Sequence, residues 1–368
     1  MSEEIVEDKL FFELTVASIT PVTEEAVCVG FSVPEHLSER FRYKPGQYLT
    51  LDINVAGQDV RRSYSICSGV NDGALEIAIK RVPSGLFSNF ANDTFRVGDT
   101  VSVMPPQGRF CVRLQPERGK QYLFIASGSG ITPVISNLKS ILESEPRSTV
   151  TLIYGNQRTP TIMFKERLSF LKNAYLDRLH WVNILSREDQ GCQLLNGRLN
   201  NAKGIALAQR LINVPTFDEY FICGPSGMLP EMSRWLRSHG VDAKSIHYEL
   251  FATSAEDAEN KLAKQRVRTE NLAGRFSDVT IMHDGRSHEF TLAADGENLL
   301  DSGIGQGLDL PHSCKSGVCS TCRCRLLEGE VEMDIMHGLE PEEIEAGFVL
   351  ACQAHPVSDL VVLDFDQK

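Results

Sequence analysis

Cys314, Cys319 and Cys322 stand four and then two residues apart, and Cys352 follows after 29 more. C-x4-C-x2-C with a distant fourth cysteine is the ligand spacing of a plant-type [2Fe-2S] cluster. Ser316, Gly317 and Ser320 keep the intervening loop small, and Gly317 can take positive φ, so backbone N–H groups can turn toward cluster sulfurs. A zinc ribbon pairs two C-x2-C arms, and only one is present. A Rieske centre replaces two cysteines by histidine, but His312 precedes Cys314 in the wrong order and no Cys-x-x-His follows. A disulfide framework belongs to small secreted chains. Cys314, Cys319, Cys322 and Cys352 are therefore the candidate metal ligands, and a one-electron centre there demands a donor and an acceptor. Cys28, Cys67, Cys111 and Cys192 read as packing residues, and His337 and His355 as surface or packing residues. Cys324 alternates with Cys322 on a strand and should point away from the cluster.

The chain has ordinary globular composition, 42% hydrophobic and 23% charged over 368 residues, which suggests two or three domains. It has no apolar run long enough to span a membrane. Met1–Asp8 is acidic and lacks the apolar core of a signal peptide, and ten cysteines in a chain this long fit a reducing cytoplasm. From Phe276 to Lys368 there are 18 Asp and Glu against 5 Lys and Arg, while the remaining 275 residues carry a net charge of +1. Such a surface excludes nucleic acid as a partner. It serves solubility, or the docking of a redox partner with a basic patch.

Residues 8–116 read as short alternating strands, Val27–Phe31, Tyr48–Ile53, Ser63–Cys67, Leu75–Lys80 and Thr100–Met104, separated by Pro45-Gly46, Asn71-Asp72-Gly73 and Pro105-Pro106. This pattern predicts an antiparallel barrel or sandwich. Residues 117–251 change rhythm: strand-like runs at Tyr122–Ala126, Thr149–Tyr154, Leu179–Leu185, Tyr220–Ile222 and Ser245–Glu249 alternate with helical patterns, which predicts a parallel sheet with helices on both faces. Residues 252–275 are polar and read as a linker, partly helical. Residues 276–368 return to strands around an Asp284-Gly285 hairpin turn, with short helices at Glu297–Gly305 and Glu340–Ala346, in the order of a small β-grasp domain.

Two stretches in the first two segments carry further chemistry. Arg62-Ser63-Tyr64-Ser65 offers a cation for a pyrophosphate, a flat ring for an isoalloxazine and a hydroxyl for the flavin N5. Gly85-Leu86-Phe87-Ser88 would open a helix at Ser88 whose N–H groups face a phosphate. Gly128-Ser129-Gly130-Ile131-Thr132-Pro133 and Cys223-Gly224-Pro225 each join a strand to a helix at the carboxyl edge of one sheet, where α/β ligands bind. The first lacks the third glycine of the Rossmann fingerprint. Taken singly, each is also a tight turn or a core tyrosine; in this order they point to a flavin followed by a nicotinamide nucleotide.

These motifs, in this order, resemble the ferredoxin–NADP reductase-like superfamily, and the C-terminal domain resembles a plant-type ferredoxin. The combination is similar to the flavin–iron–sulfur reductases that feed multicomponent oxygenases. Arg61-Arg62-Ser63-Tyr64-Ser65-Ile66-Cys67, Leu152–Asn156, Phe221–Pro225 and Leu350–Ala354 most resemble the reductase subunits of bacterial phenylacetyl-CoA epoxidases; those of ketosteroid hydroxylases and fatty-acyl desaturases share the layout. The resemblance implies a multidomain chain of α+β and α/β class: an antiparallel β-barrel for FAD, a parallel sheet for NAD(P) and a β-grasp ferredoxin domain. It implies that Arg62, Tyr64, Ser65, Gly85, Leu86, Phe87 and Ser88 hold FAD, and that Gly128, Gly130, Thr132, Cys223 and Gly224 hold the nucleotide. Ser65, Thr132 and Cys223 would sit at the reacting rings, with Phe251 as a shield or a core aromatic and Glu249 beside it at the end of the nucleotide domain. Ser186-Arg187 resembles the pair that meets the 2′-phosphate of NADPH, helped by Arg158 and Arg198, although Glu188 and Asp189 leave NADH open.

The implied chemistry is hydride from NADPH to FAD, release of the pair singly to the cluster, and delivery to a partner oxygenase of the di-iron kind. Plant-type clusters near about −400 mV are low enough for that task. No set of Glu-x-x-His pairs for a di-iron bundle occurs in the chain, so substrate oxidation belongs to the partner. A reading of another class is a non-catalytic flavin and iron–sulfur redox sensor, for which no DNA-reading segment remains unassigned. A third is a structural zinc module on a degenerate flavoprotein, which absorbance would separate from a red-brown [2Fe-2S] protein.

Overall fold

Period-two burial builds the first sheet. β1 (Phe12–Thr23), β2 (Ala26–Ser32), β3 (Tyr48–Val55), β4 (Gln58–Ser65), β5 (Leu75–Lys80) and β6 (Thr100–Gln107) run antiparallel in the order β4-β3-β6-β1-β2-β5. An Ile66–Ile77 bridge ties the end of β4 to β5, so the sheet closes on itself. Leu14, Val16, Val29, Leu49, Leu51, Ile77, Ile79, Val101 and Val103 fill the barrel, and the helix α1 (Leu86–Asp93) adds Phe87 and Ala91. The sequence pattern did not single out β1, whose inward alternation at Leu14 and Val16 gives way to Ser18, Thr20 and Pro21.

The computed structural model describes residues 9–251 and 255–367. The acidic Met1–Asp8, the start of the linker at 252–254 and Lys368 lie outside the described residues. The chain divides into two units, one spanning Phe11–Phe251 and the other running from Ala252 onward.

The first unit continues through five parallel strands with helices between them. These are β7 (Gln121–Ser127), α2 (Ile131–Ser144), β8 (Thr149–Asn156), α3 (Lys165–Ala174), β9 (Leu179–Leu185), α4 (Asn201–Arg210), β10 (Glu219–Gly224), α5 (Met228–Ser238) and β11 (Ile246–Leu250), with strand order β11-β10-β7-β8-β9. β7 shows why the sheet is covered twice. Tyr122, Phe124 and Ala126 pack with Ile131, Val134 and Leu138 of α2, whereas Leu123 and Ile125 pack with Met232, Trp235 and Leu236 of α5. Ala26, Cys28, Cys67 and Ala78 of the barrel join the α2-side core. That shared core makes barrel and nucleotide sheet one unit.

The second unit begins with the helix α6 (Ala255–Leu272). β12 (Phe276–His283), β13 (Arg286–Ala293), α7 (Leu299–Gly305), β14 (Arg323–Glu328), β15 (Val331–Met333), α8 (Pro341–Glu345), β16 (Phe348–Leu350), β17 (Ala354–Pro356) and β18 (Leu360–Asp364) follow. The main sheet has the order β13-β12-β18-β14-β16, with β15 and β17 paired beside it. The hairpin turn is the expected one: Asp284 and Gly285 both have positive φ, 52° and 68°, between paired His283 and Arg286.

Candidate functional site

Ser65, at the end of β4, is buried and donates from Oγ to Glu249 Oε2 at 3.1 Å. Cys223, on β10, stands opposite Glu249 of β11 in the parallel register, and its Sγ lies 4.0 Å from the same oxygen. The barrel and the nucleotide sheet thus meet at one carboxyl group. Burial pushes the Glu249 carboxyl up to about 8, with the Ser65 hydrogen bond opposing. Burial, and then the Glu249 charge, push the Cys223 thiol well above its ordinary value. A buried hydroxyl, a buried thiol and a half-buried, proton-holding carboxyl therefore converge at one junction. Reading from sequence placed Glu249 only at the end of the nucleotide segment. The available signal was an acid in the closing strand Ile246-His247-Tyr248-Glu249-Leu250, immediately before an aromatic.

The two glycine-bearing turns close around this junction. A Cβ on Gly130 would overlap the carbonyl oxygen of Cys223, so only glycine lets the Gly128–Gly130 turn lie against Cys223-Gly224. Tyr154 Oη donates to Gly128 O at 2.9 Å and braces the turn. Thr132 is buried, and its Oγ1 donates to Ser129 O at 3.0 Å, so its hydroxyl is engaged within the turn itself. At the end of β9, Ser186 N and Arg187 N donate to Asn156 O and Gln157 O, each at 2.9 Å, and the Arg187 side chain is exposed. Arg158 and Arg198 are exposed as well. Phe251, just beyond β11, is 41% exposed and is not a core aromatic.

On β4, Arg62 and Tyr64 share one face and Ser65 lies on the other. Arg62 is exposed, while Tyr64 is half-buried with its ring centroid 5.3 Å from that of Phe87. Burial raises the Tyr64 phenol above its ordinary value, so it stays neutral. The helix α1 starts at Leu86, two residues earlier than the Gly85–Ser88 pattern suggests, with Gly85 as a cap that offers no side chain. Ser88 Oγ accepts from Val82 N at 3.1 Å and lies 3.4 Å from Gly85 O, so it holds the preceding loop closed. Phe87 points into the barrel, and only its backbone N–H remains for a ligand at the helix N-terminus. An exposed guanidinium, a helix start without a side-chain cap and a half-buried aromatic ring form a donor set that fits a dinucleotide flavin.

In the second unit the four cysteines fall into hydrogen-bonded pairs, Cys314 with Cys319 and Cys322 with Cys352. Two thiol pairs suit two irons. Lys315, Gly317 and Ser320 all have positive φ, at 50°, 77° and 59°, which turns successive N–H groups inward. Ser316 N donates to Cys314 Sγ at 3.4 Å. The Cys319 hydrogen bond, joined by N–H groups of the loop, draws the Cys314 thiol below its ordinary value against burial. A Cβ on Gly317 would come 2.9 Å from both Gln353 Cγ and Ile335 Cγ2, so the loop has no room for a side chain there. Four convergent thiols lined by backbone donors fit a [2Fe-2S] cluster. Cys324 is buried on β14, in the same core cluster as Cys322 and Cys352.

Comparison with known proteins matches residues 13–111 to an oxidoreductase FAD-binding domain, 124–234 to an oxidoreductase NAD-binding domain and 281–357 to a 2Fe-2S iron-sulfur cluster binding domain. The chain is 42% identical to a subunit of the 1,2-phenylacetyl-CoA epoxidase of Escherichia coli (strain K12), over 97% of this chain and 98% of that one. The chain belongs to the FAD- and [2Fe-2S]-containing reductases of multicomponent oxygenases. The ferredoxin reductase component of 3-ketosteroid-9-alpha-monooxygenase from Rhodococcus rhodochrous is 33% identical to this reductase over 96% of each chain. Among solved structures, phthalate dioxygenase reductase shares the fold at a TM-score of 0.57 and 22% identity, over 96% of this chain and 98% of that one. A type IV self-sufficient cytochrome P450 monooxygenase shares it at a TM-score of 0.69 and 21% identity; the chain spans 41% of that protein's length. Among the described residues, no helix is long and apolar enough to cross a membrane.

Proposed function

We propose that this reductase takes hydride from NADPH at the junction of Ser65, Cys223 and Glu249, and sends single electrons through a centre held by Cys314, Cys319, Cys322 and Cys352 to an oxygenase of the phenylacetyl-CoA epoxidase kind. We assign FAD to residues 8–116, the nucleotide to 117–251 and the cluster to 276–368, joined by 252–275, in a cytoplasmic protein whose ten cysteines suit a reducing compartment.

The observation that carries this reading is the shared carboxyl of Glu249, bonded from the barrel by Ser65 and faced from the nucleotide sheet by Cys223. Arg62 and the start of α1 bind the flavin phosphates, and Tyr64 orients its ring. Gly128 and Gly130 admit the nucleotide phosphates to the start of α2, while Cys223 and Gly224 border the nicotinamide. Bound FAD and [2Fe-2S] supply the conversion of a two-electron donor into single electrons. Glu249 holds its proton at the carboxyl and passes hydrogen-bonding order to Ser65 Oγ, so the hydroxyl is oriented before nucleotide arrives. The buried Cys223 and Thr132 keep water from the reacting face.

The coenzyme choice rests on Arg187. Its side chain is exposed at the end of β9, whereas the neighbouring acids are engaged, Glu188 by Thr159 of the loop after β8 and Asp189 within its own loop. Glu188 accepts from Thr159 N at 2.7 Å and Thr159 Oγ1 at 2.6 Å, and Asp189 accepts from Gly191 N at 2.9 Å and from Asn196. A 2′-phosphate would meet a cation there. The choice of partner rests on the 42% identity to the Escherichia coli epoxidase chain. The test is reconstitution: purified reductase, NADPH and the oxygenase subunits of a phenylacetyl-CoA epoxidase should turn over phenylacetyl-CoA. Turnover with ketosteroid oxygenase subunits alone would transfer the assignment to that partner.

A further inference from the structure

The side chain of Gln353, the residue after the last cluster cysteine, is wholly buried and makes an unusual set of contacts. Its Nε2 lies 3.1 Å from Lys315 O, 2.8 Å from Cys352 O and 3.4 Å from Cys352 Sγ, so its two hydrogens serve three acceptors and the bond to sulfur is a shared one. Its Oε1 faces Lys261 Nζ of α6 at 3.5 Å, and that contact together with Lys315 O sets which end of the amide points at the sulfur. Lys261 is itself placed by the seat of α6. Arg268, 3% exposed, gives both terminal nitrogens to Asp334 Oδ1 at 3.1 Å. Lys264 Nζ donates to Met333 O at 2.8 Å. Asp334 also meets His355 Nε2 at 3.2 Å. Gln353 therefore ties one ligand cysteine to the loop that carries the other three and to the helix that opens this unit.

We propose that Gln353 is a positioning residue whose amide N–H, aimed at Cys352 Sγ and steadied by Lys261 of α6, raises the reduction potential of the cluster. This inference rests on the assignment of Cys352 as a ligand. Reduction adds one negative charge to the cluster and its sulfurs. A donor on a ligand sulfur stabilises that added charge, and hydrogen bonds to sulfur are among the levers that set such potentials. In a site closed to water the bond counts for more than on a surface.

The test is a redox titration of the holoprotein carrying Gln353→Met, which keeps the length of the side chain and removes the donor. Iron content and the visible spectrum report whether Cys352 still ligates; failure of the ligand assignment appears there, separately from any change in potential. With the cluster fully loaded, the equilibrium constant for one-electron reduction should fall about tenfold, a downward shift of about 59 mV. An unchanged or raised potential overturns the proposal. If the variant does not hold its cluster, the wild-type protein decides. Reduced holoprotein labelled with 15N at glutamine side-chain amides should show a 15N hyperfine coupling in pulsed electron paramagnetic resonance. The absence of that coupling overturns it equally.

Discussion

Glu249 illustrates what a single residue adds when its surroundings are known. The folded chain keeps a proton on this carboxyl up to about pH 8, whereas the unfolded chain releases it near the ordinary value of 4.5. Folding therefore gains protons across that window, and stability falls as pH rises from about 4.5 to 8. Glu249→Gln should flatten that fall and leave the variant the more stable of the two above pH 8, as read by denaturant unfolding at pH 5 and pH 8.5. An equal pH dependence in both proteins would mean that the carboxyl is ionised in the fold. Gly130 is a second such residue. Gly130→Ala forces the Cys223 carbonyl to move, and overpacking of this kind costs about 1–3 kcal/mol; the variant should unfold earlier and lose nucleotide affinity. At Arg187, replacement by Ala should raise the KM for NADPH about tenfold or more and leave that for NADH nearly unchanged. Equal effects on both coenzymes would remove the phosphate-binding role.

Ser65, Cys223 and the four cysteines were open to proposal from the sequence because each sits in a short motif whose spacing has a chemical reason. The role of Glu249 was not, because its partner Ser65 is 184 residues away and its proton depends on burial. Gln353 was invisible for a different reason: its thiol partner is the adjacent Cys352, and nothing local marks a glutamine whose side chain turns back onto its neighbour's sulfur.

Elements were legible where burial has a period. The strand Leu75–Lys80 and the strand Leu179–Leu185 have the bounds that their alternation and apolar runs suggested. β1 escaped because most of its length alternates between half-buried and exposed residues, with Pro21 inside it. α6 is the instructive case. Its Ala, Glu, Lys and Arg are good helix formers, but it has no apolar stripe to announce a docking face. It is seated instead through buried Arg268 on Asp334. Removing one partner of a buried ion pair costs about 3–5 kcal/mol. Arg268→Ala should therefore destabilise the cluster-bearing unit by roughly that amount, with loss of the iron–sulfur visible bands at a lower temperature than flavin release. Unchanged melting of those bands would mean that α6 contributes nothing to this unit.

At the scale of the molecule, the division of labour follows from the separate cores. One unit shares a core between barrel and nucleotide sheet, which brings Ser65 to Cys223 and Glu249. The other has its own core beneath the cysteine loop. The order of the segments was readable from changes in rhythm along the chain, from short strands to alternating strands and helices and back. The joining of barrel and nucleotide sheet into one unit was not, since it depends on contacts such as Cys67 and Ala78 against α2-side residues that no local pattern marks. The excess of acid lies in the cluster-bearing part, 18 Asp and Glu against 5 Lys and Arg. In the proposed relay, one pair of electrons enters from a nicotinamide nucleotide and leaves as two single electrons. The direct measurement is an anaerobic titration of the purified holoprotein with NADPH, followed by visible absorbance and electron paramagnetic resonance. The predicted result is bleaching of the flavin bands together with growth of a rhombic signal from the reduced cluster; flavin bleaching with no such signal, or no bleaching at all, would contradict it.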